Sequence, residues 1–347
     1  MNDFNFVIHG GGITGIKNSK KPFQESEARK NLLMMIHSIR KNFPNNKIIL
    51  STWFNEDLTN IDIDEVFYSM DPGDSIASKE YNYKSSINRH IVSSKKGIFN
   101  SDSKYSILIR PDIYFINDNL KYYIEDNISN LDNDKIICLA GGTLNEKTLL
   151  RKPFPFHICD FIYIGNTLKL KEIFKIPNET ESNKNIMFLE EKKSKYPEKF
   201  NYFLNIRNRD SYIQQYIPEC YVVYHAFKEK YNINHESSYD YSNANKIKFQ
   251  EILRNEFLLS SRSMLGLKWL KNNNEYQPNL RGIIGRYSYY LFRSRISNNI
   301  IIKFVYYILH NLRQFYLILN ILFLTFIKKF KLTFVFLFYQ FKKLIMQ

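Results

Sequence analysis

Arg110 and Asp112 are the residues whose types and spacing first suggest chemistry. They follow the apolar run Tyr105–Ile109 and are separated only by Pro111. A short apolar run that stops at a proline predicts a buried strand, and ligands of open α/β sheets bind just beyond the carboxyl ends of such strands. At that place an aspartate can hold a divalent cation and an arginine can grip a phosphate. The alternative is a surface ion pair that caps the strand.

Polar or glycine residues also follow the earlier apolar runs. Phe4–His9 runs into a glycine-rich segment, where the backbone can approach a ligand closely or form a plain turn. Asp71 follows the run at 65–70, and Asn88 and Arg89 lie midway along a predicted helix at 82–96. Strand ends that meet at one sheet edge predict a shared cleft. The candidate ligand-binding residues are His9, Gly10, Gly11, Asp71, Asn88, Arg89 and Arg110.

Three further side chains have the chemistry to move protons. His157 and Asp160 precede an apolar run that ends at Gly165, and such a pair can act as acid and base or bind a metal. The alternative for this pair is structural hydrogen bonding. Glu219 lies just before a predicted strand at 221–224 and is another candidate carboxylate. The catalytic candidates are therefore Asp160, Glu219 and His157.

Alternating strands and helices must position these groups. Short apolar strands separated by amphipathic helices are typical of an α/β fold with a mostly parallel central sheet. The charged, proline-bounded segment 177–197 has the length of a lid or of a disordered surface insertion. The predicted strands are Phe4–His9, 47–51, 65–70, Tyr105–Ile109, 135–141 and 221–224, and the predicted helices are 25–43, 82–96, 208–216 and 245–261.

The charge of the chain is concentrated near its end. The total is +15, and residues 262–347 contain fourteen Lys and Arg against the single acidic Glu275, which leaves about +2 for residues 1–261. A nearly neutral body with a basic tail argues against a nucleic-acid-binding body and for a tail that meets an anionic surface. We predict a body over residues 1–261 and a helical tail over residues 262–347.

The tail is strongly apolar as well as basic. On a helix, most of its basic residues beyond residue 302 fall within roughly a 120° arc, as in a helix that lies in the lipid interface. The alternatives are core helices packed on the body, or a span over 304–327 that would bury the charge of Arg313.

The location of the protein is predicted from the start of the chain and from the cysteines. The first residues contain neither the basic segment nor the long apolar run of a signal peptide, and the three cysteines of the chain are widely spaced. We therefore expect a cytoplasmic protein, peripheral on the inner face of the cytoplasmic membrane.

Several stretches together resemble a known family. In order they read FVIHGGGI, FPNNKIILSTW, DPG, NRHIVSSKKGI, KYSILIRPDIYF and FHICDFIYIG, between Phe4 and Tyr224. This set is similar to the WavE-type lipopolysaccharide synthesis family of bacterial glycosyltransferases. The resemblance implies a GT-A-like nucleotide-diphospho-sugar fold and a role in building a surface polysaccharide or the lipopolysaccharide core. Two departures are the Gly10–Gly12 run in place of a glycine–proline turn, and one carboxylate, Asp112, in place of an Asp-x-Asp pair.

The resemblance implies a nucleotide-sugar donor and a glycan or lipid-linked glycan acceptor. The glycine loop and Asp71 would hold the nucleoside, and Arg89 and Arg110 would neutralise the diphosphate. Asp112 would bind Mg²⁺ or Mn²⁺, and Asp160, with Glu219 as second choice, would deprotonate the acceptor if transfer inverts the anomeric centre. The alternative is a non-catalytic, membrane-attached assembly factor for surface polysaccharide.

Overall fold

The computed structural model describes residues 4–10, 22–54, 56–73, 86–140, 155–180, 186–188, 212–238, 240, 242–271 and 274–275. All of these belong to the first of two units into which the chain divides, Met1–Tyr289 and Tyr290–Gln347. Gly11, most of the segment 177–197 that is predicted to be a lid or a surface insertion, and the tail from residue 276 lie outside the described residues. The predicted interfacial helix falls in that tail, so it stays a prediction.

A seven-stranded sheet forms the centre of the described part of the chain, in the order β10-β6-β7-β4-β1-β2-β3. A three-stranded sheet has the order β12-β11-β5, and β8 pairs with β9. The strands are β1 (Phe4–His9), β2 (Ile48–Trp53), β3 (Glu65–Ser69), β4 (Tyr105–Ile109), β5 (Ile113–Phe115), β6 (Ile136–Leu139), β7 (Ile162–Asn166), β8 (Ile186–Phe188), β9 (Tyr212–Gln214), β10 (Phe257–Ser260), β11 (Leu267–Lys271) and β12 (Asn274–Glu275).

The direction of the strands confirms the mostly parallel α/β sheet. β1 is parallel to β2 and β4, β2 is parallel to β3, and β10 is parallel to β6. β7 runs antiparallel to both β4 and β6. Six strands therefore end at one edge of the sheet, and β7 begins at that same edge.

Helices cover both faces of this sheet. Leu32, Met35 and Ile39 of α1 are buried in the core that contains Phe6 and other alternate sheet residues. On the opposite face α2 lies so close that a Cβ at Gly97 would come within 2.6 Å of Val7 Cγ1. The helices are α1 (Pro22–Asn42), α2 (Ile87–Phe99), α3 (Asn119–Asp126), α4 (Ile128–Asp132), α5 (Thr167–Ile173), α6 (Pro218–Tyr231) and α7 (Asn243–Glu256).

Two predicted elements in the second half of the chain are wrong. The apolar run at 221–224 lies inside α6, which begins at Pro218 and ends before Asn232 in the left-handed region. Proline is favoured in the first turn of a helix, and a left-handed asparagine is a common helix stop. The helix predicted over 208–216 is a strand at Tyr212–Gln214, because this segment pairs with β8, while residues 208–211 lie outside the described part.

The segment that follows α7 also differs from the prediction. The helix expected over 245–261 stops at Glu256, and Phe257–Ser260 continues as a strand beside β6. Leu267–Lys271, assigned from its charge to the helical tail, forms β11 and pairs with β5. The first part of the predicted tail therefore contains a strand, β11, that pairs with a strand of the body. None of the described helices is both long and apolar enough to cross a bilayer.

Candidate functional site

The ends of β1, β4 and β7 touch one another at the shared edge of the sheet. The backbone N–H of Gly10 donates to the carbonyl of Ser51 at 3.1 Å, and that of Arg110 donates to Phe161 at 3.3 Å. Gly10 has a φ of 137°, and a Cβ there would lie 3.5 Å from Pro111 Cδ. A glycine suits this position because other residues rarely adopt such a φ. The structure thus brings the ends of these strands into one neighbourhood.

Arg110 lies between two carboxylates in this neighbourhood. Its Nε donates to Asp112 Oδ1 at 3.1 Å and its Nη2 to Asp112 Oδ2 at 2.9 Å. Its Nη1 lies 3.4 Å from Asp160 Oδ2, and the guanidinium stands 4.8 Å from the centre of the Phe161 ring. Burial lowers the pKa of Arg110, but the charges of Asp160 and Asp112 outweigh that effect and raise it overall. Arg110 is therefore a fixed cation.

Trp269 is a fourth member of the group that sequence reasoning missed. Its indole Nε1–H donates to Asp112 Oδ2 at 2.9 Å, and its ring centre lies 4.8 Å from that of Phe161. The residue lies in β11, beyond the predicted end of the body, so only the pairing of β11 with β5 brings it here. The one available signal was its type, since the chain contains only two tryptophans.

Glu219 lies near Asp160, in the first turn of α6 rather than before a strand. Burial, and after it the negative charge of Asp160, raises the pKa of Glu219 to about 7. The Nε2 of His157 stands 3.9 Å from Glu219 Oε1. Burial thus favours the neutral form of Glu219 beside a second carboxyl group, and such a pair of carboxyl groups is a common arrangement for acid–base work. The structure thus brings together all three predicted catalytic candidates.

His9 and His90 form the buried side of this site. The His9 Nδ1 lies 3.1 Å from Ser94 Oγ, and the two imidazole rings are 5.1 Å apart. Burial, the neighbouring His90 and Arg110 lower the pKa of His9, and burial also lowers the pKa of His90, where Asp160 opposes it. Both rings are neutral at pH 7. Sequence reasoning overlooked His90, which sits one residue after Arg89.

Asp71 and Arg89 form a separate pair at the same edge of the sheet. Arg89 donates from Nε to Asp71 Oδ1 at 2.7 Å and from Nη2 to Asp71 Oδ2 at 2.9 Å. Because β1 and β2 lie between β3 and β4, the pair is about 14 Å from Arg110 at ordinary strand spacing. Only an extended ligand could touch both places.

Asn88 lies beside this pair, but its amide group is used elsewhere. Its Nδ2 donates to the carbonyl of Glu179 at 3.1 Å, and its Oδ1 accepts from the N–H of Glu179 at 2.8 Å. Asn88 therefore ties the segment after α5 to α2. That contact gives it a positioning role in the described structure, and its predicted contact with a ligand remains a prediction.

The contacts of Asp112 decide whether a divalent cation fits there. Each carboxylate oxygen has two lone pairs. Among the described residues, Oδ2 accepts from both Trp269 and Arg110, whereas Oδ1 accepts from Arg110 alone. Within the described ranges no three His, Cys, Asp or Glu side chains are grouped to hold a metal ion. Mg²⁺ is commonly held by one or two carboxylates together with substrate phosphates and water. Asp112 Oδ1, which has one described hydrogen bond, is therefore the oxygen through which such a shared cation could be held.

Glu219→Gln is expected to make the protein more stable at pH 8 than the wild type, with no such gain at pH 4. The raised pKa of Glu219 means that the folded state disfavours its ionised form. The resulting loss in the free energy of unfolding is absent at pH values below the ordinary pKa of 4.5 and complete at pH values above the raised pKa of about 7. It amounts to at most about 3 kcal/mol. Urea unfolding of both proteins at several pH values measures the difference in their free energies of unfolding. The contributions of His9 and His90 cancel in this difference, because both proteins contain these histidines. An equal difference at pH 4 and pH 8 would contradict this expectation.

One family model matches most of the chain. The model described as WavE lipopolysaccharide synthesis matches residues 20–281, more than half of the sequence. No curated protein matches. The match confirms the resemblance noted in the sequence and corrects its extent. It begins after the glycine-rich segment and continues past Tyr224, so that it includes β11 and Trp269.

Proposed function

Because the chain belongs to the WavE lipopolysaccharide synthesis family, we propose that it is a glycosyltransferase. It moves a sugar from a nucleotide-sugar donor onto a lipopolysaccharide core or a surface-polysaccharide acceptor. The fold we propose is GT-A-like. In support of it, the order β3-β2-β1-β4 matches the first four strands, 3-2-1-4, of a doubly wound nucleotide-binding sheet.

One observation carries the proposal: a guanidinium held between two carboxylates at the carboxyl end of β4. Arg110 is fixed by Asp112 and faces Asp160. Departure of a nucleoside diphosphate leaves negative charge on its phosphate oxygens, and a preorganised cation stabilises that charge as it develops. Removal of the proton from a sugar hydroxyl needs a base, such as a carboxylate, within hydrogen-bond reach of that hydroxyl. Arg110 and Asp160 supply both groups side by side.

The roles of the remaining residues follow from their positions. Arg89 and Asp71, at the far end of the same edge, would meet the nucleoside side of an extended donor, which gives Arg89 this role in place of the predicted contact with the diphosphate. The backbone of Gly10, at the end of β1, would contact the donor between this pair and Arg110. Asp112 would hold the divalent cation through Oδ1. When bound, Mg²⁺ or Mn²⁺ would neutralise part of the diphosphate charge. Neutral His9 and His90 can donate or accept one hydrogen bond at each ring nitrogen without adding charge.

Asp160 is the proposed general base. Its side chain is buried and its Oδ2 lies 3.4 Å from Arg110 Nη1, so the carboxylate is held in a fixed position from which it could accept the proton of the acceptor hydroxyl. Glu219 remains the second choice, because the pKa of about 7 is near the working pH of a base. His157, 3.9 Å from Glu219, would influence the charge of that carboxyl group.

The partners and location are part of the same proposal. The acceptor would be a glycan or a lipid-linked glycan, and the basic, apolar tail would hold the body at the anionic inner face of the cytoplasmic membrane. We propose no nucleic-acid partner, because the excess positive charge of the chain lies in the tail and not in the body.

A non-catalytic assembly factor is the alternative function. The observation that favours it is that Asp112 is a single carboxylate whose two oxygens already accept three hydrogen bonds. A protein of this kind would keep the fold and the membrane attachment but would neither bind nor cleave a nucleotide-sugar.

A thermal-unfolding screen of the full chain against nucleotide-sugars, with and without Mn²⁺, separates the two functions. A donor present at 100 times its Kd is expected to raise the free energy of unfolding by about 2.7 kcal/mol. The matched controls are the free sugars and an unrelated nucleotide. Absence of stabilisation by every nucleotide-sugar, in both metal conditions, would favour the assembly factor.

A further inference from the structure

Strand β11, which lies far along the sequence from the other strands of the site, contacts the residues at the centre of the site. It pairs antiparallel with β5 in a register that sets Trp269 opposite Ile113. Asp112 immediately precedes Ile113, so the ladder holds the indole next to the carboxylate. Trp269 and Asp112 are 157 positions apart in sequence, and their contact is therefore a product of the tertiary fold alone.

The hydrogen bonds of Asp112 are divided unequally between its oxygens. Oδ2 receives the indole N–H at 2.9 Å and Arg110 Nη2 at 2.9 Å, which uses both of its lone pairs. Oδ1 receives only Arg110 Nε, at 3.1 Å, among the described contacts. Rotation of the carboxylate would break at least one of these bonds. Trp269 therefore determines which oxygen is left to meet a ligand.

The indole also supports Arg110 through an aromatic ring. Trp269 packs on Phe161 with ring centres 4.8 Å apart, and the guanidinium of Arg110 lies 4.8 Å from the centre of the Phe161 ring. Cation–ring contacts of this kind contribute modestly by themselves. Together with the Asp112 bond, they make Trp269 a neighbour of both charged groups at the end of β4.

We propose that Trp269 is a positioning residue for sugar transfer. It fixes the Asp112 carboxylate so that Oδ1 faces the diphosphate end of the donor, and it holds Phe161 against Arg110. The role rests on the proposed transferase function and deepens it, since it makes β11 part of the active site. The range matched by the family model, residues 20–281, includes β11.

Trp269→Phe is the test, because phenylalanine keeps an aromatic ring beside Phe161 and removes the N–H. Loss of one hydrogen bond to a charged group predicts a fall in kcat of about tenfold, with the KM for the donor changed less than about twofold. Lys268→Ala is the matched control, since successive strand residues point to opposite faces, and its kcat should equal that of the wild type. The full chain is used in all assays.

A double substitution shows whether Trp269 acts through Asp112. In the Asp112→Asn background, Trp269→Phe should have less effect on kcat than it has alone, because neighbours in one network are not additive. In parallel, the indole ¹H–¹⁵N resonance of Trp269, assigned by its loss in Trp269→Phe, should shift in Asp112→Asn. An unchanged kcat in Trp269→Phe, or full additivity with Asp112→Asn, overturns the positioning role.

The failure of this inference differs from the failure of the proposed function. A wild-type protein that transfers no sugar from any nucleotide-sugar refutes the transferase, and the positioning role with it, even if the indole resonance shifts. An active wild type whose Trp269→Phe variant has the same kcat refutes the positioning role alone and leaves the transferase intact.

Discussion

Asp160→Asn is expected to lower kcat for sugar transfer by about 10²-fold or more while the protein stays folded. Asparagine has nearly the same shape as aspartate but cannot accept a proton from the acceptor hydroxyl. In the wild type, Arg110 Nη1 donates to Asp160 Oδ2 at 3.4 Å. The amide oxygen of asparagine can still accept that hydrogen bond, so the local structure should survive. Steady-state transfer kinetics and a thermal unfolding curve of the same preparation measure both parts of the expectation.

Glu219→Gln is the matched control for that experiment. It also removes a carboxyl group close to Asp160, but one that burial keeps largely protonated below a pKa of about 7. If Asp160 is the base, Glu219→Gln should reduce kcat by less than Asp160→Asn does. A larger loss in Glu219→Gln than in Asp160→Asn would assign the base to Glu219. Equal activity of Asp160→Asn and the wild type would refute a base role for Asp160.

The first half of the fold could be read from the sequence because its signals are local. Most of the early strands are short apolar runs buried on both faces of the sheet, and the bounds of Tyr105–Ile109 were correct to the residue. The second half depends on contacts between distant segments. The run at 221–224 has the composition of a strand, yet Pro218 and the packing of Tyr221 and Val222 in the core place it in a helix.

The candidate site divides in the same way. Arg110, Asp112 and Asp160 were found because polar residues beside apolar runs mark strand ends, and strand ends of a parallel sheet meet at one edge. Trp269 could not be found by that rule. Its N–H reaches Asp112 only through the pairing of β11 with β5, and its basic surroundings suggested a tail. His90 was not predicted as a site residue, because a histidine within an amphipathic helix has no sequence pattern that marks it as functional.

The charges of the site bear on how a diphosphate could bind there. Arg110 is one cation against the two carboxylates of Asp112 and Asp160, and the lowered pKa values of His9 and His90 keep both imidazoles uncharged. This group alone has an excess of negative charge, which repels a diphosphate at short range. A further positive charge is therefore needed, either from residues outside the described part or from a bound cation.

Asp112→Asn is expected to lower kcat by about 10²-fold or more if that further charge is a divalent cation. An amide oxygen is a much weaker partner for Mg²⁺ or Mn²⁺ than a carboxylate, and the same change weakens the ion pair that fixes Arg110. The wild type should lose activity in EDTA and regain it with excess Mn²⁺, and the variant should need a higher Mn²⁺ concentration for half its maximal rate. Full activity of Asp112→Asn in the presence of EDTA would remove the metal role. Arg110 would then be the cation at the end of β4 that meets the diphosphate, with Asp112 serving to hold it in place.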